Sequence, residues 1–569
     1  MRKTLSLTLA GVVLFGSVCL AQSAPESPPR EPAATISCAG YDKLMADLDM
    51  IGELSGITKL SQRIDKPLRM LTESRGAKGR LALATKEPWG GAFVVVNTLL
   101  WEMYAFFPTT NIGPLVELAK IRAGSMATEQ NGVFMLPFAG TTLYAAQNNQ
   151  WAYFADSVRT LNAVAPDPRV FLGDLPKRYD LAFRLSFRKL PQDYRNEFVP
   201  RLRESAQLCM EQMEGESDEQ YAARLNLLDH AIRQLRYVIN DLDDVMLGWN
   251  LNTKEKSTHL DLEVTAKSGT ALAERFAQIK GGRSDFAALL SPNAALSANV
   301  LGVLTDAQAG EIGGALADLR QSAAKEWEKE GLSENERRAA SQFLDELVGV
   351  LDKTVKNKKL DAALSLSVDS TAATLLAGAK VADAATLDHS LRQLAANSPK
   401  DEKAGGQFHV KVEPYQGISL YAISFPTPDP GLVTLVGKRL EIVMGVAGDK
   451  LLVAAGRDAL PRFKEAFDQV RSGHGKEVPP FQVRLAVPSI ASLVATLSKN
   501  KRIKAGAAML AGFGITAGSK NHLSFTLTPI ARGFRARLEV EGGLLKMLGK
   551  LNQLTGWINL TGWIDANGM

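Results

Sequence analysis

Thr141-Thr142-Leu143-Tyr144-Ala145-Ala146-Gln147-Asn148-Asn149-Gln150-Trp151-Ala152-Tyr153-Phe154 reads as two strand-like runs around a tight Asn-Asn turn. Leu440-Glu441-Ile442-Val443-Met444-Gly445-Val446-Ala447-Gly448-Asp449-Lys450-Leu451-Leu452-Val453-Ala454-Ala455 reads the same way around Gly448-Asp449. Turn residues that tolerate positive φ, flanked by β-branched and aromatic side chains, are a strong local hairpin signal. The two hairpins match at a constant spacing of three hundred residues, with Asn148-Asn149 opposite Gly448-Asp449. Phe183-Arg184-Leu185 lies opposite Val483-Arg484-Leu485 at the same spacing, and both strands run into a proline, Pro191 and Pro488, and then a helix. Helices are expected after the hairpins from near Ser157 and Asp458. Self-similarity at a fixed period points to a repeated architecture.

A smaller unit recurs around these hairpins. Ser217 with Gln220, after Gly215, and Ser333 with Glu336, after Gly331, are capping boxes that open helices. Strand pairs follow: Val245 to Asn250 with His259 to Thr265, and Leu360 to Val368 with Thr371 to Ala379. A looser copy is His522 to Thr528 with Gly533 to Glu541. Leu260, Leu262 and Val264 alternate with Asp261 and Glu263, and Phe183, Leu185 and Phe187 with Arg184, Ser186 and Arg188. Strict period-two alternation predicts strands with one packed and one wet face, as in antiparallel sheets. The expected class is α+β: internally duplicated, curved antiparallel sheets with amphipathic helices on one face. The expected divisions are a signal peptide over 1–23, a Pro-rich linker over 24–35, halves over 36–283 and 284–552, and a tail over 553–569.

The first residues, Met1-Arg2-Lys3, then the uncharged run Leu5 to Leu20, then Ala21, Ser23 and Ala24, have the layout of a secretory signal cleaved after Ala21 or Ser23. This predicts export to a periplasm or envelope. No later stretch is long and apolar enough for a spanning helix; the nearest, Ala505 to Ala517, is too short. The composition, 46% hydrophobic and 22% charged, is that of a globular protein. Arg2 and Lys3 account for two of the five net positive charges, and no concentrated basic stripe points to nucleic acid. With Cys19 in the leader, Cys38 and Cys209 remain. In an oxidising compartment they can form one disulfide closing a long loop, a stabilisation of about 3–5 kcal/mol, or stay two buried thiols.

None of the six histidines forms a spaced metal pair, and nucleophile-elbow and phosphate-loop motifs are absent from the sequence. His259 and His522 look like matched strand starts. Gly512-Phe513-Gly514-Ile515-Thr516-Ala517 matches a dinucleotide fingerprint only superficially, without the strand before it. Asn240, Asp241, Asp243 and Asp244 cluster between a helix and a strand, without calcium-loop spacing. No cofactor, metal or catalytic residue is therefore assigned. Two segments can touch apolar matter: the bulky run Leu99 to Phe107, with Trp101, Phe106 and Phe107, expected as a helix, and Lys501, Arg502 and Lys504 ahead of the apolar run from Ala505. The tail repeats Leu554-Thr555-Gly556-Trp557-Ile558-Asn559 as Leu560-Thr561-Gly562-Trp563-Ile564-Asp565.

The leader, the Pro-rich start and blocks such as Tyr179-Asp180-Leu181-Ala182-Phe183-Arg184-Leu185 and Asp449-Lys450-Leu451-Leu452-Val453-Ala454-Ala455 resemble large uncharacterised secreted proteins of planctomycete-type bacteria. The resemblance covers most of the chain and implies no activity, cofactor or functional residue. Three readings follow. The first is an exported, non-catalytic interaction or scaffold protein whose partner is an envelope protein. The second is a carrier with a lipid or other apolar ligand in a groove between sheets and helices. The third is a hydrolase with a non-standard site.

Overall fold

The structure is a computed structural model describing residues 31–55, 60–62, 83–95, 101–117, 127–138, 141–210, 212, 216–329, 334–369, 371–397, 409–427, 429–473, 475–517 and 521–555. The leader, the first capping glycine, the capping box at Ser333 and the hexapeptide repeat's two tryptophans lie outside the described residues.

The first ten strands are β1 (Ala34–Cys38), β2 (Trp89–Val95), β3 (Trp101–Pro108), β4 (Thr128–Gln130), β5 (Val133–Phe138), β6 (Thr141–Asn148), β7 (Trp151–Ala155), β8 (Leu181–Ser186), β9 (Leu242–Asn252) and β10 (Ser257–Ala266). Then come β11 (Gly282–Ser284), β12 (Leu296–Val303), β13 (Lys359–Val368), β14 (Ala373–Lys380), β15 (His409–Tyr415) and β16 (Ile418–Pro426). The last are β17 (Arg439–Ala447), β18 (Lys450–Gly456), β19 (Lys476–Val478), β20 (Phe481–Ala486), β21 (His522–Ile530) and β22 (Gly533–Glu541).

All but β11 and β19, which pair with each other, join one 20-stranded antiparallel sheet. Its seam is the pairing of β10 with β22. Outward from the seam one arm runs β10, β9, β8, β1, β2, β3, β7, β6, β5, β4. The other runs β22, β21, β20, β12, β13, β14, β18, β17, β16, β15. Leaving aside the β11–β19 ribbon, the two arms use their strands in the same chain order. The expected hairpins are β6–β7 and β17–β18. Asn149 (φ 52°) and Gly448 (φ 62°) take the left-handed turn position, so these turns align one residue off the three-hundred spacing. Leu181 and Phe481, which open β8 and β20, keep it. His259 lies on β10 but His522 on β21, so the two histidines occupy non-equivalent strands, contrary to the sequence reading.

The α+β class with a large antiparallel sheet holds, and the helical covering extends further than the one face expected. On β17 and β18, Val443 and Leu452 pack on Phe463 and Phe467 of the helix Ala459–Ser472. Their sequence neighbours Met444 and Leu451 point the other way and pack on Leu387 and Leu391 of the helix Ala384–Asn397. The expected helix from Leu99 is a correction: Trp101 to Pro108 form β3, with every second residue buried. Its two faces enter separate cores, Phe106 with Tyr153 and Leu172, and Phe107 with Phe154 and Leu136. A strand apolar on both faces lacks the polar alternation that marks strands in sequence. The capping box at Ser217 and Gln220 is present and opens the helix Asp218–Val238.

The alternation of the central strands is present, but which face is covered is not as expected. The apolar side of β8, β9, β10, β20, β21 and β22 is open, and Leu181, Phe183, Leu247, Leu260, Leu538 and Phe525 are each 37–44% exposed. The polar side is covered, and Asp261 is fully buried. The cause is local. Tyr179 follows the short helix Leu175–Arg178 and lies flat on the polar side of β9 over Gly248, where only a residue without a Cβ fits. A Cβ added at Gly248 would sit 2.6 Å from the Tyr179 ring. Gly248→Ala should therefore cost about 1–3 kcal/mol through overpacking. Chemical denaturation would register this as a lower midpoint with an unchanged slope.

Candidate functional site

Cross-strand register turns the open face into continuous rows. One row runs from Leu181 through Trp249 and Leu260 to Leu538 across the seam. It continues through Phe525, Val483, Ala298, Leu364 and Ala377 to Val453. The row beside it passes from Phe183 through Leu247 and Leu262 to Ala536, Leu527 and Phe481, then across Val300, Ala362 and Ala379 to Leu451. Neither row contains a charged side chain. Ten strands at about 4.8 Å spacing make each row about 43 Å long.

Helices bank the two rows on both sides. Beyond the second row, Leu185, Val245 and Val264 are covered by Val199, Ile232 and Leu272, from the helices Gln192–Cys209, Asp218–Val238 and Ala271–Ala277. Beyond the first row, Leu251 is covered by Met50 and Leu54 of the helix Tyr41–Ser55, beside Leu545 of the helix Gly542–Thr555. The result is an apolar track with helices on both sides over β8, β9 and β10. Over β12, β13 and β14 four of its six floor residues are alanines, Ala298, Ala362, Ala377 and Ala379, beside Val300 and Leu364, and the track opens into a hollow of about 340 Å³ rimmed by Phe481. The floor is firm from behind, because Phe286 packs on the backbone of Gly378 from the opposite face.

Under the track, the seam is tied by ions. Arg537 donates to both oxygens of Asp261, Nε at 2.7 Å and Nη2 at 2.8 Å. Tyr179 donates its hydroxyl to Asp261 at 2.8 Å. Arg535 donates to Glu263 at 2.6 Å, and Arg178 binds the same carboxylate. Burial alone would raise the pKa of Asp261, but the hydrogen bonds from Arg537 and Tyr179 outweigh it and hold the carboxyl below its ordinary range. Burial, reinforced by the hydrogen bond to Asp261, pushes the Tyr179 phenol up, and burial together with the Arg537 charge pushes His259 down. Asp261, Arg537, Tyr179 and His259 are each pushed further toward the charge state they favour at neutral pH, which is the arrangement of a structural clamp.

A second buried group lies at the wall. Lys43 bridges Asp47 at 2.6 Å and Asp180 at 3.0 Å and donates to the Leu251 carbonyl. Burial lifts the Asp47 carboxyl to about 6 against the pull of Lys43, with Asp180 adding repulsion.

The residues singled out by sequence separate. Phe106 is fully buried on the opposite face, Phe107 stacks on Trp89 inside a core, and Trp101 packs edge-on against Tyr194 in the first bank. Phe106 is thus closed to surface contact, which corrects that expectation, while Trp101 and Phe107 are half-buried in packed clusters. Lys501, Arg502 and Lys504 are exposed on the first turn of the helix Lys501–Ala517. Gly512 and Phe513 lie within the same helix, so the superficial fingerprint is not a strand-to-helix loop. Cys38 is a free thiol on the track side of β1, and burial pushes it up to about 12; the side chain of Cys209 lies outside the described residues. Asp243 of the acidic cluster is buried and faces Arg188 and Arg532. Among the described residues no group of three or more His, Cys, Asp or Glu could hold a metal ion. Sequence reasoning missed the track, although its signal was present: the rows are the apolar halves of the alternating strands.

Arg537→Ala would leave Asp261 buried without its main partner and should cost about 3–5 kcal/mol, read as a lower unfolding free energy in urea. Although Lys43 bridges it, Asp47 titrates in the opposite sense to the usual ion-paired acid, because burial outweighs the pull of Lys43. Its raised pKa means that its protonation stabilises the fold fully below the unfolded value near 3.8, and that this contribution is lost as pH rises through about 6. Asp47→Asn should therefore raise the melting temperature by a few degrees at pH 8 and by nothing at pH 3.5, a difference scanning calorimetry resolves. No protein-family model, no curated protein and no solved structure matches the chain.

Proposed function

We propose that the protein is an exported, non-catalytic carrier that binds the extended apolar chain of a lipid along the track. The observation that carries this reading is the pair of uncharged rows spanning ten strands, whose large apolar side chains are 37–44% exposed on β8, β9, β10, β20, β21 and β22. A soluble monomer rarely leaves a contiguous apolar patch of more than a few hundred Å² without a use for it. The shape favours a chain over a protein. Protein interfaces carry about one hydrogen bond per 100–200 Å² and a polar rim, whereas the one polar group in these rows, the Trp249 indole N–H, is already given to Thr258. The small-residue floor and the 340 Å³ hollow suit methylene groups packed edge to edge. The common strand order of the two arms further supports descent from one duplicated half, with the track built across the joint between the copies.

Native mass spectrometry of gently purified protein should show a lipid-sized adduct that organic extraction removes. The delipidated protein should take up a fluorescent fatty acid. Ala377→Trp, which places an indole on the narrow floor, should weaken that uptake at least tenfold while leaving the melting temperature within a few degrees. Protein that carries no adduct and takes up no probe would overturn the reading.

A further inference from the structure

The helix pair Val487–Leu497 and Lys501–Ala517 packs together and leans on β13 and β20, the strands that floor the hollow. Three observations on this pair converge. First, it exposes large apolar side chains: Val494 is 37%, Met509 36% and Ile503 53% exposed. Second, its charge is of one sign. No acidic residue occurs between Glu477 and Glu539, and Lys499, Lys501, Arg502 and Lys504 stand around the turn joining the helices. Third, these cations are not used by the fold. Lys499 approaches Asp429 only at 3.8 Å and is 90% exposed, and among the described residues no carboxylate lies within ion-pair distance of Lys501, Arg502 or Lys504.

Stability does not account for this placement. Asn500 caps the second helix, its Oδ1 accepting from the amides of Arg502 and Ile503 at 2.9 and 3.3 Å. Three cations in the first turn then oppose the helix dipole, which favours acids there. Each costs a few tenths of a kcal/mol unless an outside anion offsets it. Ile503 projects from between Arg502 and Lys504, which flank it about 100° to either side, so this turn presents an exposed apolar side chain between two cations.

We infer that this helical hairpin docks the protein on an anionic phospholipid surface, with Ile503 and Met509 entering the headgroup boundary, Arg502 and Lys504 binding phosphate groups beside them, and Lys499 and Lys501 adding attractive charge at the turn. The chemistry is that of an interfacial amphipathic helix: apolar burial supplies the hold, and unpaired cations select anionic lipid. Docking here brings the bilayer beside the strands that carry the track. The inference stands apart from the carrier reading, since a protein with an empty track could dock in the same way.

The test is co-sedimentation of the mature chain with vesicles of phosphatidylcholine alone and with vesicles containing about one-third phosphatidylglycerol, at low and high salt. Selective binding to the anionic vesicles is expected, weakened by salt. The triple variant Lys501→Glu, Arg502→Glu, Lys504→Glu should bind more than tenfold more weakly, and the Lys501→Arg, Lys504→Arg variant should bind as the wild type does. Both should melt as the wild type does, because the changed side chains are exposed. Equal binding to both vesicle types, binding unaffected by charge reversal, or no binding would overturn the inference. Equal binding to neutral vesicles with uptake of a fatty acid intact would do so while leaving the carrier reading standing.

Discussion

The two arms of the sheet meet at Asp261 and Arg537, and the geometry of that meeting constrains the rest. Lys256 and Arg532 occupy the left-handed position before β10 and β22, so residues at equal distance beyond them are equivalent. Asp261 and Arg537 are such a pair, and they face each other across the seam. A position that faces its own equivalent is where identical residues would set like charges together. An acid in one copy and an arginine in the other convert that repulsion into a bidentate bond. The neighbouring pairs follow suit, since Glu263 faces Arg535. The buried carboxylate is tolerable because it is fully hydrogen-bonded, and because the arginines are about one-third exposed and keep part of their hydration.

This clamp frees the opposite face. In most antiparallel sheets apolar packing on one side holds the strands and the polar side is wet. Here ion pairs and Tyr179 cover the polar side at the seam, and the apolar side need not be covered to keep β10 on β22. Hydrophobic packing is concentrated in the arms, where Tyr104, Phe106 and Tyr153 form one core and Leu420, Val443 and Phe463 another. The sheet's edges are also guarded. β4 is three exposed residues long, and β15 carries Lys411, Glu413 and Pro414, features that discourage pairing with another chain. The open apolar surface therefore lies in the middle of the sheet, away from strand edges that would template aggregation.

The fold was largely legible in sequence because its signals are local. The Asn-Asn and Gly-Asp turns, the capping box at Ser217 and the alternation of β8, β10 and β22 all read correctly as elements. The site was not legible, for a definite reason. Period two states that the faces of a strand differ but not which one is covered, and the covering of Asp261 depends on Tyr179 and Arg537, both distant in the chain. The block Tyr179 to Leu185 illustrates the limit. Tyr179 clamps the seam, Asp180 holds Lys43 and the Leu251 amide, and Leu181 and Phe183 open the track, yet the residues alone read as an ordinary strand. Trp101 to Pro108 failed differently, because buried aromatics on both faces erase the polar alternation.

The rows do not stop where the track does, and this fixes how a ligand would enter. Toward one edge the second row continues from Phe183 to Ile36, Gly91, Ala105 and Phe154, passing into the core closed by Ile112, Leu115 and Val116. Toward the other edge the first row continues from Val453 to Met444 and Tyr421, beneath the helix Ala384–Asn397. Both ends are thus roofed, and only the stretch over the seam is open. An apolar chain could not thread in from an end and would have to be laid down broadside, along its whole length, between the banks. Such transfer requires a source that presents the chain side-on at a surface. A bilayer held beside β13 and β20 would meet that geometric requirement, and an isolated lipid monomer at its low aqueous concentration would meet it poorly.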